Sequence, residues 1–379
     1  MDFSEVIGLS FIKKHLQQSA DLNRIAHAQL FIGAEGSGTL PMALAYAQYL
    51  LCKDTINIEA SKLKCIKLCH PDLHFAFPVA INDIIKKDPV SNLFLSDWRL
   101  FITQNPYGNL FDWLQFIGIE NKQGFINVDE AEQIVRSLKL KSYEGGYKVM
   151  IIWMAEKMHT SAANKLLKII EEPPAKTVFI LIAEKEEQII STIRSRCQVL
   201  HFPVLSENDL VQALVSKENI SEIEALNIAQ QANGNYNKAL NILRNNSNDL
   251  IFEQWFITWV RNAFKAKGDA SVIAHLVEWS ENIASSGRET QKQFLHYCLQ
   301  FFRQALLQNF EVSELVFLQP KSENFKFESF SKFIHSANII DITKEIDDAI
   351  YHIERNGNAK IIFLDLSIKL TRLIHKNET

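Results

Sequence analysis

The chain has little of what would place it in a membrane, in an oxidising compartment or along nucleic acid. Its longest apolar runs, Val149 to Met154 and Val178 to Ala183, are far too short to span a bilayer and read as buried strands. The opening Met1-Asp2-Phe3-Ser4-Glu5 is acidic and has none of the charged and apolar regions of a signal peptide. Cysteine is scarce: five, at positions 52, 65, 69, 197 and 298, an odd number that argues against a disulfide framework. An excess of one charge is missing too. The formal net charge is −4, so no global basic field demands nucleic acid, which leaves only a local patch for such contacts. Repeats and low-complexity tracts are absent. The expectation is a soluble cytoplasmic protein with no membrane partner. What is present suits it: 379 residues, 47% hydrophobic and 22% charged, allow two or three domains with sizeable cores.

One loop lacks the residues that its setting leads one to expect. Gly33-Ala34-Glu35-Gly36-Ser37-Gly38-Thr39-Leu40 follows a short apolar run, residues 28–32, and precedes a helix expected over Pro41 to Leu51. A strand, a Gly-rich loop and a helix in that order are the setting of a phosphate-binding P-loop. The pattern needs Lys and then Ser or Thr after its last Gly. Those places hold Thr39 and Leu40. No point charge remains for the β- and γ-phosphates, and no hydroxyl for Mg²⁺. The loop amides and helix start could hold an anion weakly, but Gly33, Gly36, Gly38 and Thr39 are not expected to bind a nucleotide productively.

A second run of alternating elements is clearer. Lys148 to Trp153 reads as a buried strand. His159 to Glu172 reads as a helix with Ala162, Ala163, Leu166, Leu167 and Ile170 along one side, stopped by Pro173-Pro174. Thr177 to Ile182 is another strand, Glu187 to Ser195 a short helix, and Gln198 to Phe202 a strand ended by Pro203. The alternation argues for a parallel sheet covered on both faces. Ser195-Arg196-Cys197 stands between the short helix and the last strand, a placement that suits an arginine reaching into a neighbouring subunit's site. Guanidinium is always charged and forks onto phosphate oxygens. The plainer reading is a side chain that caps carbonyls or forms an ion pair. Ser195 and Cys197 are expected to shape the turn.

After Pro203 the pattern becomes helical. Ser206-Glu207-Asn208-Asp209 is a helix start, Gly234-Asn235 a turn, and Asn245-Asn246-Ser247-Asn248 a linker. Phe252, Trp255, Phe256, Trp259 and Val260 follow at helical spacing and read as core. The expected division is an α/β domain over 1–204, a helical lid over 205–247 and an all-α domain over 248–379. Residues 76–125 look irregular, rich in Asn, Asp and Phe, and the sequence gives them no role.

Four motifs resemble those of the delta-prime subunits of bacterial DNA polymerase III, in the AAA+ clamp-loader family. They are Arg24-Ile25-Ala26-His27-Ala28-Gln29, His70-Pro71-Asp72-Leu73-His74-Phe75, Ala162-Ala163-Asn164-Lys165-Leu166-Leu167-Lys168 with Glu171-Glu172-Pro173-Pro174, and Ser195-Arg196-Cys197-Gln198. They span about residues 1–205. The resemblance implies a RecA-like AAA+ module, a small helical lid and a C-terminal helical collar that packs a pentamer. It also implies a non-hydrolysing stator beside gamma/tau ATPase subunits and the delta subunit, meeting the sliding clamp and primer-template DNA through the complex. Arg196 would be the finger, acting in trans.

Set against that family, further losses appear. The acidic motif that binds metal and polarises water would end the strand at Trp153 and Met154, and Glu156 lies three residues past the Asp place. Asn237 stands where active relatives carry a lid arginine, with Lys238 beside it. Members commonly carry a four-cysteine zinc module after the first helix. Here Cys52, Cys65 and Cys69 have intervals of twelve and three residues and no fourth cysteine nearby. Structural zinc wants four closed ligands; His70 or His74 could complete a set, but three reduced cysteines are the preferred reading, so no cofactor is expected. Two other classes stay in view: an AAA+ ATPase subunit with divergent motifs, and a free-standing nucleic-acid-binding module.

Overall fold

Five runs of apolar residues pair into one parallel sheet. The computed structural model describes residues 1–53, 55, 57–119, 122–244, 247–312, 315–318, 320, 322 and 325–376. Its strands are β1 (Ala28–Gly33), β2 (Leu73–Ala76), β3 (Lys148–Trp153), β4 (Thr177–Ala183) and β5 (Gln198–Phe202), in the order β2-β3-β4-β1-β5. Every pairing is parallel. β1, β3 and β4 are buried along their whole length, as continuous apolar strands with both faces covered should be. β5 is an edge strand with mixed burial.

Alternate side chains of the strands feed two cores. Phe31, Val149, Ile151, Val178 and Ile180 join the core that holds α1 (Ser10–Asp21) and α2 (Thr39–Lys53), which is followed by α3 (Ile58–Ile66). Leu30, Ile32, Met150, Ile152, Phe179 and Leu181 join the core under α6 (Val128–Lys139) and α7 (Thr160–Glu171). The buried stripe of α7 is Ala162, Ala163, Leu166, Ile169 and Ile170. Leu167, expected on it, is half-buried and Ile169 takes the place.

Residues 76–125 are not irregular. They carry two helices, α4 (Leu95–Gln104) and α5 (Leu110–Phe116). Asn105-Pro106 and Gly108 interrupt the helical period between them, which hides both in the sequence. Asn109 caps α5 reciprocally with Asp112: its Oδ1 accepts the Asp112 N–H at 2.8 Å, and Asp112 Oδ2 accepts the Asn109 N–H at 3.0 Å. Trp98 of α4 has no exposure and stacks on Phe77 with centroids 4.2 Å apart. Trp113 and Trp153 each lie 5.1 Å from it. Trp113 Nε1–H donates to Pro78 O at 2.8 Å. The short helix expected over Glu187 to Ser195 is broken into a turn at Glu186–Gln188 and α8 (Ser191–Arg194).

A lid follows: α9 (Glu207–Glu218), α10 (Glu222–Ala232) and α11 (Tyr236–Leu243). Ser206 Oγ caps α9 by accepting the Asp209 N–H at 3.1 Å. The chain divides into two compact units, one of Met1–Ile119 and Gln123–Ile242, so the lid belongs with the sheet, and the other running over Leu243–Thr379. The second unit is helical: α12 (Ser247–Ala266), α13 (Val272–Ala284), α14 (Arg288–Asn309), α15 (Phe327–Ser331), α16 (Ser336–Glu354) and α17 (Ala359–Leu373). Of the expected linker, Asn245 and Asn246 lie outside the described residues, while Ser247 and Asn248 open α12. The aromatic stripe of α12 is core: Trp259 stacks on Trp279 at 5.2 Å and donates its Nε1–H to Ser367 Oγ at 2.9 Å. Among the described residues no helix is long and apolar enough to cross a membrane. The α/β module, helical lid and helical C-terminal region match the AAA+ fold class that the resemblance implies.

Trp98 joins the sheet end to α4 and α5, so Trp98→Ala should cost about 3–5 kcal/mol of stability. Denaturant unfolding followed by far-UV circular dichroism checks it; a loss under about 1 kcal/mol would mean the aromatic cluster does not hold this region.

Candidate functional site

The Gly-rich loop keeps the backbone of a phosphate cradle. Gly36 and Gly38 take φ of +70° and +93°, the left-handed region that favours glycine. The loop turns between β1 and the first residue of α2, Thr39. The space above it is another matter. Pro106, Tyr107 and Asn109 from the α4–α5 connection, Trp153 and Met154 from the end of β3, and Glu184 after β4 line it together with the loop. They leave a cavity of about 20 Å³, room for about one water molecule and far short of a nucleotide.

Trp153 and Met154 stand at the two places of the acidic motif and are each only 4% exposed. Apolar side chains therefore fill the space where a metal and its water would have to lie. Tyr107 is buried, its hydroxyl accepts the Ile7 N–H at 2.9 Å, and burial pushes its pKa up. A Cβ on Gly38 would lie 3.3 Å from its ring.

The lid is fastened onto this plug. Asn235 Nδ2–H donates to Glu35 Oε1 at 3.1 Å, and the Tyr236 N–H donates to Gly36 O at 3.3 Å. A Cβ on Gly36 would meet Asn235 Oδ1 at 2.0 Å, so only glycine fits beneath the lid. Asn237, at the place of the lid arginine, has no exposure. Its Oδ1 accepts from Asn105 Nδ2–H at 2.8 Å, and its Nδ2–H donates to Asp112 Oδ2 at 2.7 Å. Sequence reasoning missed Asn105 and Asp112; the capping box at Asn109 was the only signal for them.

The titratable groups beside the loop do not favour phosphate either. Glu184 is pushed up to about 8, chiefly by burial and then by Glu35 and Glu156. Glu156 is raised by burial, although its Oε1 accepts the Glu184 N–H at 3.0 Å. Two of these three carboxyl groups are thus favoured in their neutral form, and none supplies the positive charge that a phosphate would need. With no lysine, no magnesium ligand and almost no space, these residues do not fit a magnesium nucleotide.

Arg196 stands elsewhere, in the turn between α8 and β5. Its Nε–H donates to Glu171 Oε2 at 2.9 Å and its Nη1–H to Thr192 O at 3.0 Å. Ser195 Oγ–H donates to the same carbonyl at 3.2 Å. The Cys197 N–H closes the turn onto Arg194 O at 3.2 Å, and burial raises its thiol to about 11. Ser195 and Cys197 flank Arg196 in this turn.

The three N-terminal cysteines are not equivalent. Cys65 is buried, Cys52 half-buried and Cys69 exposed. The Cys65 thiol hydrogen-bonds Cys52 and lowers its pKa. His70 Nε2 lies 2.9 Å from Ser61 Oγ and 3.2 Å from Glu144 Oε2, while His74 lies in β2 with its pKa lowered by burial. Among the described residues no three His, Cys, Asp or Glu side chains cluster as a metal would need.

The raised Glu184 makes a pH prediction. Its folded pKa lies above the ordinary 4.5, so the folded chain holds the proton more tightly than the unfolded one. That contribution is complete below about 4.5 and is lost as pH rises to about 8. Glu184→Gln should flatten this fall and gain stability over wild type at the alkaline end. Urea unfolding at a series of pH values checks it; parallel curves for the two proteins would refute it.

Residues 8–206 match the family described as DNA polymerase III, delta subunit. The chain is 28% identical over 241 residues to the DNA polymerase III subunit delta' of Bacillus subtilis, covering 62% of this chain and 59% of that one. It is 36% identical over 101 residues to the subunit delta' of Haemophilus influenzae, covering 27% and 31%. The DNA polymerase III subunit gamma of Buchnera aphidicola subsp. Baizongia pistaciae is 26% identical over 245 residues, covering 63% and 56%. The chain thus spans less than three fifths of the length of each of these relatives. With the family match running from α1 to the start of the lid, the chain belongs to the DNA polymerase III delta family of clamp-loader subunits, as a delta-prime-like member.

Proposed function

We propose that this chain is the non-hydrolysing stator of a cytoplasmic DNA polymerase III clamp loader. It would assemble with gamma/tau ATPase subunits on one side and the delta subunit on the other. Sliding clamp and primer-template DNA would be reached through the complex. The helical region over 248–379 would serve as the collar, and Arg196 as the finger given in trans to a neighbouring ATPase site. The observation that carries the reading is the plugged cleft. A cavity of about 20 Å³, walled by Trp153, Met154 and Tyr107, has no room for a nucleotide.

A second reading, an ATPase subunit with divergent motifs, draws on the matches to gamma and tau subunits over 63% and 64% of the chain. The two readings part on nucleotide affinity. Calorimetric titration of the isolated chain with Mg-ATP should give no binding tighter than about 1 mM, roughly 4 kcal/mol. A dissociation constant near ~1 μM, roughly 8 kcal/mol, would favour the ATPase.

The finger is tested in the complex. Arg196→Ala should leave the chain folded and assembled, and should lower clamp- and DNA-stimulated ATP hydrolysis. GTPase fingers are worth about 10³–10⁵ in rate. The loss here should be only several-fold, because the other ATP sites keep their own fingers. Arg196→Lys should rescue little, since an ammonium cannot fork onto two oxygens. Hydrolysis unchanged by Arg196→Ala would leave Arg196 a structural residue.

A further inference from the structure

The ion pair at Arg196 joins two elements that have no obvious structural need for it. Glu171 is the last residue of α7, and Glu172 follows as its C-cap. Both carboxylates stand at the negative end of the helix dipole, where cations are favoured. Local preference therefore argues against acid at this place, and such conflicts concentrate at functional sites. The pair is also open to solvent: the Glu171 side chain is 55% exposed and that of Arg196 32%. Ion pairs so exposed add little to stability.

What the pair does is hold the guanidinium in one orientation. Arginine has many rotamers, and a free side chain would have to order itself each time it met a phosphate. Here Nε is tied to Glu171 Oε2 and Nη1 to Thr192 O, so the stem is fixed from two elements at once. Two of the five N–H donors are engaged. Both on Nη2 and one on Nη1 remain, enough for the end of the fork to reach two oxygens of an anion.

On the reading of Arg196 as a trans-acting finger, we infer that Glu171 is a positioning residue, which aims the guanidinium at the γ-phosphate of the neighbouring subunit. Glu171 touches no substrate; its effect passes through Arg196 alone. Removing it leaves the finger present but held from one side only, by Thr192 O. The loss should be about that of immobilising one side chain, roughly 2- to 10-fold in the hydrolysis rate at the partner's site. It should be smaller than the loss on removing Arg196. A Glu171 that merely balances charge at the helix end would act on stability instead, with or without Arg196.

The test uses the full complex, rebuilt with wild-type, Arg196→Ala, Glu171→Ala, Glu171→Gln and the double Glu171→Ala, Arg196→Ala chain. Clamp- and DNA-stimulated ATP hydrolysis is read beside thermal unfolding of each chain. The expected result is a graded one. Glu171→Ala loses part of what Arg196→Ala loses, Glu171→Gln keeps more because its amide oxygen still accepts from Nε, and the double variant equals Arg196→Ala. Unfolding temperatures stay alike. A normal rate for Glu171→Ala beside a low one for Arg196→Ala would overturn the positioning role and leave the finger standing. A faster Glu171→Ala, or a double variant slower than Arg196→Ala, would overturn it as well. A normal rate for Arg196→Ala would remove the finger and the positioning role together.

Discussion

Both ends of one buried amide hold the lid shut. Asn237 has no exposure, so its oxygen and its N–H₂ must find partners inside the protein or cost stability. It finds them in Asn105 and Asp112, which flank the connection between α4 and α5. That connection is in turn held by the aromatic cluster of Trp98, Trp113 and Phe77. Trp153, at the place of a metal-binding carboxylate, packs against Trp98 in the same cluster. The departures from an active nucleotide site at Trp153, Met154 and Asn237 are therefore not separate losses. They are parts of one packed arrangement, in which the α4–α5 connection takes up the volume of the cleft and the lid closes over it.

Much of this was legible in the sequence. The buried strand at Lys148–Trp153 stands where its apolar run puts it, and the edge strand at Gln198–Phe202 ends where Pro203 stops it. The loop at Gly33 turns where a P-loop should. The departures at Thr39, Leu40, Trp153, Met154 and Asn237 could each be read without a structure. What could not be read was what had replaced them. Residues 76–125 bury aromatic side chains that lack a clean helical period, and Asn105 to Gly108 breaks the run into short pieces. Their partners are β3 and the lid, far away in the chain, so no local pattern reports them. Glu171 was visible as part of a motif, but its bond to Arg196 spans 25 residues and needed three dimensions.

Charge divides the first unit into two contrasting places. Around the loop, Glu35, Glu156 and Glu184 draw together, and burial favours their protonated forms at Glu156 and Glu184. At the turn before β5, one arginine is ordered at the surface by a single carboxylate and a carbonyl. The first place offers a phosphate almost no space, and the second holds a cation that an anion can meet. Both hang on β1, which leads into the Gly-rich loop at one end and pairs with β5 along its side. The same strand thus sets the position of a filled cleft and of a side chain able to meet an anion.

The plugged cleft also bears on how such a chain can change over evolutionary time. Thr39→Lys alone would not recover a phosphate site, because the space above the loop has room for about one water molecule and none for a phosphate beside it. Trp153 would have to shrink, Tyr107 to move and Asn237 to give up two partners, and each step by itself leaves a void or an unpaired polar group in the core. Reversal would have to pass through destabilised intermediates. Packing acts here as a barrier: while these side chains occupy the space above the loop, the stability of the fold itself opposes any stepwise change of the cleft into a phosphate site.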